Sequence, residues 1–193
     1  EFHTGWINAY PVSRDGYNAY FDWSTEGVNI MLNTEVTEID MDARIVVLDC
    51  GEKIKPDMII SSTSPDVLFN YDIGELEYVG REVYKIVLPI EQVLPDDVYF
   101  VYYPGPKEMQ TRVTEFKKFT NHKSSNSLIT LEVPSKKNKL YPTLLSKQVS
   151  LAEQYIQRLP DYMHSVGRMG KYRYVDIDDI LLDAIDFEKT HLL

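Results

Sequence analysis

Between Glu77 and Val133 the chain returns again and again to one pattern, a short apolar-rich segment closed by a turn. Glu77 to Leu88, Val98 to Tyr103, Thr111 to Phe119 and Ser127 to Val133 all read as strands. Leu94-Pro95-Asp96-Asp97 and Tyr103-Pro104-Gly105-Pro106 are turn signals, because proline presets φ while Asp and Gly tolerate tight backbone. Strands joined this closely pair antiparallel, since a parallel return needs a crossover of about a dozen residues or more. An antiparallel sheet is therefore what the rest of the chain has to pack around, and the expected class is α+β.

The flanks are more mixed. Ser13-Arg14-Asp15-Gly16-Tyr17 predicts the start of a short helix, with Ser13 as N-cap and Tyr17, Tyr20, Phe21 and Trp23 as buried positions. Gly27 ends it, and Val28 to Leu32 alternates like a strand. Glu35 to Ile39 and Arg44 to Leu48 form a hairpin around Asp40-Met41-Asp42. Pro56 to Pro65 is a short apolar strand that stops in Ser, Thr and Pro. Its C-terminal end is where ligands bind in open α/β sheets. Asn121 to Asn126 is polar and loop-like.

Two helices close the chain. The first spans Ser146 to Met163, with Val149, Ala152, Tyr155, Ile156 and Leu159 on one stripe and Pro160 able to end or kink it. The second runs from Asp176 or Asp178 to about Lys189, with Ile177, Ile180, Leu181, Ala184 and Ile185 as its core face. Asp176, Asp178 and Asp179 suit its positive N-terminal end. The implied parts are 1–75, a partial nucleotide-domain segment, 76–145, the antiparallel sheet, and 146–193, the C-terminal helices.

Charge and composition narrow the functions. A net charge of −10 repels nucleic acid and anionic lipid, so neither is an expected partner. No apolar run reaches the ~18 residues of a membrane span. The single Cys50 fits a reducing compartment, so a cytoplasmic location is expected. His3, His122, His164 and His191 are scattered, and no metal-ligand spacing is present. Neither a Gly-x-Gly-x-x-Gly nor a phosphate loop nor a Gly-x-Ser-x-Gly occurs.

Three stretches carry chemistry. Arg112 lies in Thr111-Arg112-Val113-Thr114-Glu115-Phe116-Lys117-Lys118-Phe119, where its planar fork suits a phosphate or diphosphate if it faces a cleft, and is a surface residue otherwise. Glu132 ends a strand in Leu131-Glu132-Val133-Pro134, and Tyr141 precedes Pro142. The third is Gly167-Arg168-Met169-Gly170-Lys171-Tyr172-Arg173-Tyr174-Val175-Asp176, a loop, a strand and a helix start. It reads either as an anion site or as a capped helix with an aromatic face, with Tyr172 and Tyr174 sharing that face.

In this order and spacing the three stretches resemble the UDP-galactopyranose mutase family: Thr111-Arg112…Glu115…Phe119, Glu132-Val133-Pro134, Tyr141-Pro142, and Gly167-Arg168…Tyr172…Tyr174…Asp176. Gly74-Glu75-Leu76-Glu77-Tyr78 is similar to a further family stretch. The resemblance implies a non-redox isomerisation of UDP-galactopyranose by reduced FAD, in which a flavin nitrogen displaces UDP from the anomeric carbon. It implies that Arg112 holds the diphosphate, with Tyr141 and Tyr174 as hydroxyl partners and Glu132 as a carboxylate either on the substrate side or behind the residues that touch the substrate. Arg168 and Asp176 would lie at the flavin.

The family's Gly-rich FAD fingerprint, helical substrate domain and second diphosphate arginine have no counterpart in this sequence. These residues alone are therefore expected neither to bind FAD in the usual way nor to turn over substrate. Two rival readings stand beside this one, a non-catalytic module for a sugar nucleotide or a protein partner, and part of an amine-oxidase-like FAD oxidoreductase. An exposed sheet edge would give the chain a route to a homo-oligomer.

Overall fold

The structure is a computed structural model and describes residues 10–192. In chain order its elements are α1 (Asn18–Ser24), β1 (Val36–Asp40), β2 (Ile45–Leu48), β3 (Lys53–Ile54), β4 (Ile59–Ser61), α2 (Pro65–Leu68), β5 (Tyr78–Leu88), β6 (Phe100–Tyr102), β7 (Arg112–Glu115), β8 (Ser127–Ser135), β9 (Tyr141–Pro142), α3 (Ser146–Ile156), β10 (Met163–Ser165), α4 (Gly167–Gly170) and α5 (Ile177–His191). This mixture of helices and antiparallel sheet is the expected α+β class. The chain divides into two compact units. The first comprises Glu1–Ile30 and Arg81–Ser135, the second Met31–Gly80 and Lys136–Leu193.

In the first unit the strand order is β6-β7-β8-β5: β6, β7 and β8 are the consecutive antiparallel strands that the turn signals imply, and β5 lies beside β8 rather than beside β6. The registers place Tyr102 opposite Arg112, and Arg112 opposite Glu132. They also place Thr114 between Phe100 and Thr130. Partners directly across a ladder share a face, so these six residues lie on one side of the sheet. Thr111 to Phe119 is not one strand, as its pattern suggests. β7 stops at Glu115, and Phe116–Lys118 is a 3₁₀ turn. Glu115 is fully buried and accepts backbone N–H bonds from Val93 at 3.2 Å and Leu94 at 2.9 Å. Lys118 donates to the carbonyls of Leu94 and Val98 at 2.7 and 2.9 Å, and Lys117 to those of Ser124 and Asn126 at 3.0 and 3.2 Å. These bonds draw both lysines off the strand path and bind the 91–98 and 124–126 loops to its end.

The N-terminal segment departs from expectation. Ser13 caps a turn rather than the helix, its Oγ accepting the Asp15 N–H at 3.2 Å, and α1 starts only at Asn18. Tyr17, Tyr20, Phe21 and Trp23 are exposed, Trp23 to 72%. Val28 to Leu32 forms no strand, and Val28, Ile30, Met31 and Leu32 are exposed. Apolar spacing marks a face that is suited to burial. It does not supply the surface that buries it.

In the second unit β1 and β2 form the expected hairpin, Val36 opposite Leu48 and Asp40 opposite Ile45. Asp40 Oδ1 accepts the Ala43 N–H at 2.8 Å inside the turn. β3 adds to β2, and β4 pairs in parallel with β10. The hydroxyl-rich end of β4 leads into α2, whose Pro65 needs no N–H partner in the first turn. Asp66 is fully buried there and accepts N–H bonds from Val67 and Leu76 and the Ser64 hydroxyl. Ser64 Oγ in turn lies 2.6 Å from Tyr78 OH. Leu76, Tyr78, Ala152 and Tyr172 make the core, with Leu151 and Met169 packed against it.

α3 ends at Ile156, short of Pro160, because its final turn cannot use a proline nitrogen. Its stripe is partly right: Ala152 and Tyr155 are buried, and Tyr155 OH donates to Gly74 O at 2.8 Å. The face expected to bury α5 is corrected. Ile177, Leu181 and Ile185 are exposed, and no described residue of α5 is buried.

Gly80 touches the loop after β8 so closely that a Cβ would sit 2.4 Å from the Asn138 carbonyl oxygen. Gly80→Ala should therefore lower stability by roughly 1–3 kcal/mol, read as a fall in the urea midpoint at constant m-value. Burial alone would raise the Glu115 carboxyl. The Leu94 N–H, the Ser127 hydroxyl, the Val93 N–H and the Lys118 ammonium outweigh it and hold the group below the ordinary glutamate range. A depressed carboxyl stabilises the fold above its unfolded pKa, and that stability is lost as pH falls through the folded pKa. The denaturation midpoint should fall through that acid window, and Glu115→Gln should flatten the dependence.

Candidate functional site

The sheet of the first unit presents a cluster centred on Glu132. This side chain does not end its strand. It is the sixth residue of β8 and is 5% exposed. A carboxylate in that position needs compensating charge and hydrogen bonds. Arg112 Nε donates to Glu132 Oε1 at 2.6 Å, and Arg112 Nη2 lies 2.5 Å from the same oxygen. Arg81 Nη1 bonds the other oxygen, Oε2. Arg112 also reaches Tyr102 OH at 3.4 Å and lies 5.8 Å from the Phe100 and Tyr102 ring centroids. Desolvation works against the Arg112 cation. The Glu132 and Tyr102 hydrogen bonds outweigh it and raise the pKa, so the guanidinium stays charged.

Two guanidinium groups on one carboxylate leave a local surplus of positive charge in a chain whose net charge is −10. Arg112 lines a cavity of about 850 Å³ with Tyr10, Arg14, Phe100, Thr114 and Phe119. That volume lies within the roughly 300–1,000 Å³ range of small-molecule pockets. Glu132 engages both Nε and Nη2 of the Arg112 fork, so Nη1, held only at 3.4 Å by the Tyr102 hydroxyl, is the donor left for an anion. Arg81 is the residue that the sequence pattern missed. Its partner is 51 positions away, so only the β5–β8 pairing reveals it.

The second unit brings together the other four expected residues. Arg168 Cζ lies 5.2 Å from the Tyr141 ring centroid and 5.0 Å from that of Tyr174, and the two rings are 5.7 Å apart and nearly parallel. Arg168 Nη2 is 3.7 Å from Asp176 Oδ1, and Arg168 Nε donates to Val175 O at 3.1 Å. The Gly167 to Asp176 run is not the expected loop and strand. Gly167 has φ of 72°, which suits only glycine well, and α4 follows. Tyr172 has φ of 48°, so it and Tyr174 do not share a face. Tyr172 is buried edge-on against Tyr78, and its hydroxyl donates to Glu77 O. Tyr174 is 55% exposed. Burial also pushes the Tyr78 hydroxyl up to about 12, with Asp66 and Tyr172 adding to the rise against the Ser64 bond.

The anion-site reading of the α5 N-terminus does not survive. Asp176 and Asp179 form a reciprocal capping box, with Asp176 N donating to Asp179 Oδ2 at 3.1 Å. The box takes the Asp176 and Asp179 amides and sets two carboxylates where an anion would lie.

Glu132→Ala would leave the Arg81 and Arg112 cations facing each other without their carboxylate. The expected loss is roughly 3 kcal/mol, measured by urea denaturation. Glu132→Gln, which keeps the acceptor oxygen, should lose less.

The profile of the UDP-galactopyranose mutase family matches residues 1–174. A crystal structure of reduced UDP-galactopyranose mutase shares the fold with a TM-score of 0.68 at 18% sequence identity, covering 86% of this chain and 48% of that one. A structural-genomics protein from Pyrococcus furiosus aligns with a TM-score of 0.45 at 16% identity, over 81% of this chain and 46% of its own. The chain thus spans about half the length of the solved mutase. With the family profile running through Arg112, Glu132, Tyr141, Arg168 and Tyr174, this chain belongs to the UDP-galactopyranose mutase family.

Proposed function

We propose that the chain supplies the diphosphate-binding sheet and part of the flavin side of a mutase that interconverts UDP-galactopyranose and UDP-galactofuranose. The observation that carries this reading is the Arg81–Glu132–Arg112 cluster, which presents Arg112 at the cavity of the first unit in a member of this family. When UDP leaves a sugar carbon, negative charge grows on the diphosphate. A guanidinium pre-aimed by Glu132 binds that charge more strongly as it develops, which is how it lowers the barrier. Tyr141 and Tyr174 are the proposed hydroxyl partners of the substrate. Within the second unit both rings are held against Arg168.

The family is FAD-dependent. Arg168 and Asp176 offer a cation and a carboxylate suited to the ring end of a flavin. The Arg168 Nε and Nη2 atoms are, however, committed to Val175 O, and the α5 amides to the capping box. Among the described residues no Gly-rich strand–helix turn is present to cradle the cofactor's own diphosphate. The residues here do not fit the whole cofactor. The proposed role of the chain by itself is binding, in an assembly that completes the site. The family profile favours this over an amine-oxidase-like oxidoreductase, for which no contact in the structure speaks.

Calorimetry with UDP tests the reading. The chain should bind UDP, with affinity falling as salt rises, and Arg112→Ala should weaken it by about tenfold or more. Absence of UDP binding, or indifference to Arg112→Ala, would sink it. Purified chain given reduced FAD and UDP-galactofuranose should show no turnover, and measurable UDP-galactopyranose would show that the chain is a complete catalyst.

A further inference from the structure

Among the described residues, the formally charged side chains that line the cavity of the first unit are all basic: Arg14, Arg112 and Lys117. No Asp or Glu lines it, in a chain where Asp and Glu outnumber Lys and Arg by 30 to 20. Like charges gathered around one space repel, and an anion between them relieves that repulsion. The Lys117 ammonium is engaged by the carbonyls of Glu91, Ser124 and Asn126, and Arg112 keeps only Nη1 for a ligand. Arg14 is the remaining cation, and it is exposed. Every other arginine of the chain is engaged. Arg44 donates to Asp57 O at 3.4 Å and lies over the Tyr162 ring. Arg81 and Arg112 share Glu132, while Arg158 pairs with Asp72, Arg168 with Asp176 and Arg173 with Asp183. The Arg14 side chain alone has no hydrogen bond, ion pair or ring contact among the described residues. Its backbone, by contrast, is tied down. The Gly16 N–H donates to Ser13 O at 3.0 Å and closes a turn with Arg14 and Asp15 at its corner. The Tyr10 ring packs on Phe119 at a centroid distance of 4.5 Å, which seats this segment on the sheet.

We infer that Arg14 is a second anion-binding residue of this cavity and takes the phosphate of a nucleoside diphosphate that Arg112 does not hold. The inference rests on the diphosphate role proposed for Arg112 and deepens it. A diphosphate carries two phosphoryl groups in a row, each with oxygens for a guanidinium. Glu132 leaves Arg112 a single nitrogen, too few donors to grip both groups. Arg14 has its whole fork unengaged and offers the bidentate contact that Arg112 cannot. Its neighbour Asp15 does not line the cavity, so no carboxylate there competes with the ligand for the fork. A ligand with one phosphoryl group satisfies only one of the two cations. Preference for a diphosphate over a monophosphate therefore follows from having both. Arg14 lies outside the stretches that carry the family resemblance, and only the fold brings it to the same cavity as Arg112.

The decisive experiment compares UDP with UMP by calorimetry over a range of salt concentrations. It uses the wild-type chain, Arg14→Gln, Arg14→Lys and Arg112→Ala, with a thermal melt of each. Arg14→Gln should melt at the wild-type temperature, because no contact within the fold uses the guanidinium. It should weaken UDP by about tenfold and change UMP by no more than about twofold. The salt dependence of UDP binding should become shallower in the same variant, since one cation is gone. Arg14→Lys should fall between wild type and Arg14→Gln, because it keeps the charge and loses the fork. Unchanged UDP affinity in Arg14→Gln would overturn the inference, as would equal loss of UDP and UMP, or equal affinities of the wild-type chain for the two. A lower melting temperature for unliganded Arg14→Gln would show the guanidinium already held within the fold and would overturn it too. If Arg112→Ala weakens UDP while Arg14→Gln does not, this inference fails and the Arg112 reading stands. If Arg14→Gln weakens UDP while Arg112→Ala does not, the Arg112 reading fails and Arg14 remains an anion contact. Binding of neither nucleotide would remove both.

Discussion

A carboxylate taken out of water has to be met by donors and cations, and three buried carboxylates organise this chain. Asp66 and Glu115 are fully buried and Glu132 nearly so. Each gathers segments that strand pairing leaves loose. Asp66 closes the chain from Ser64 to Leu76 through backbone N–H bonds and the Ser64–Tyr78 link. Glu115 draws the Val93–Leu94 loop onto the end of β7. Glu132 joins β5 and β7 across β8 through two arginines. The desolvation cost of a lone buried carboxylate amounts to several kcal/mol, so partial satisfaction would be worse than an apolar side chain in its place. Satisfaction is near complete in all three, which is why these positions are rigid points rather than weak ones.

The Glu132 cluster shows how structure and function share one set of contacts. Arg112 is held on one side by the carboxylate and flanked by aromatic rings, which fixes the direction of the fork before any ligand arrives. Pre-orientation of this kind reduces the conformational entropy lost on binding an anion. Without Arg81 on the second carboxylate oxygen, Glu132 would be free to draw Arg112 off that direction. The cluster in the second unit works differently. Arg168 is braced by a carbonyl and two tyrosine rings, so Tyr141 and Tyr174 are set by stacking rather than by charge.

The apolar faces of α1 and α5 remain exposed in this chain. Their periodicity gives the helices their amphipathic character, yet of the expected α5 face only Ile180 is half-buried, and Ile177, Leu181 and Ile185 stay exposed. Periodicity in sequence therefore located helices here more reliably than it located core. The same limit explains Val28 to Leu32, where alternation produced no strand because no neighbouring strand offers it a ladder.

How much could be read before folding follows from the range of each interaction. The β6-β7-β8 run, the Asp40 hairpin and the acidic start of α5 rest on contacts within a few residues, so the sequence alone determined them, whereas α3 stops at Ile156 rather than running to Met163. The order of the Arg112, Glu132, Tyr141 and Gly167–Asp176 stretches also sufficed to point to the family, because order and spacing persist where identity with the solved mutase has fallen to 18%. Tertiary structure decided the rest. Arg81 found Glu132 across 51 positions, Arg14 came to line one cavity with Arg112, and Tyr172 turned inward while Tyr174 stayed out. Register, burial and a positive φ at Tyr172 set these outcomes. None of them is a property of a local run of residues, since each depends on which distant backbone lies alongside.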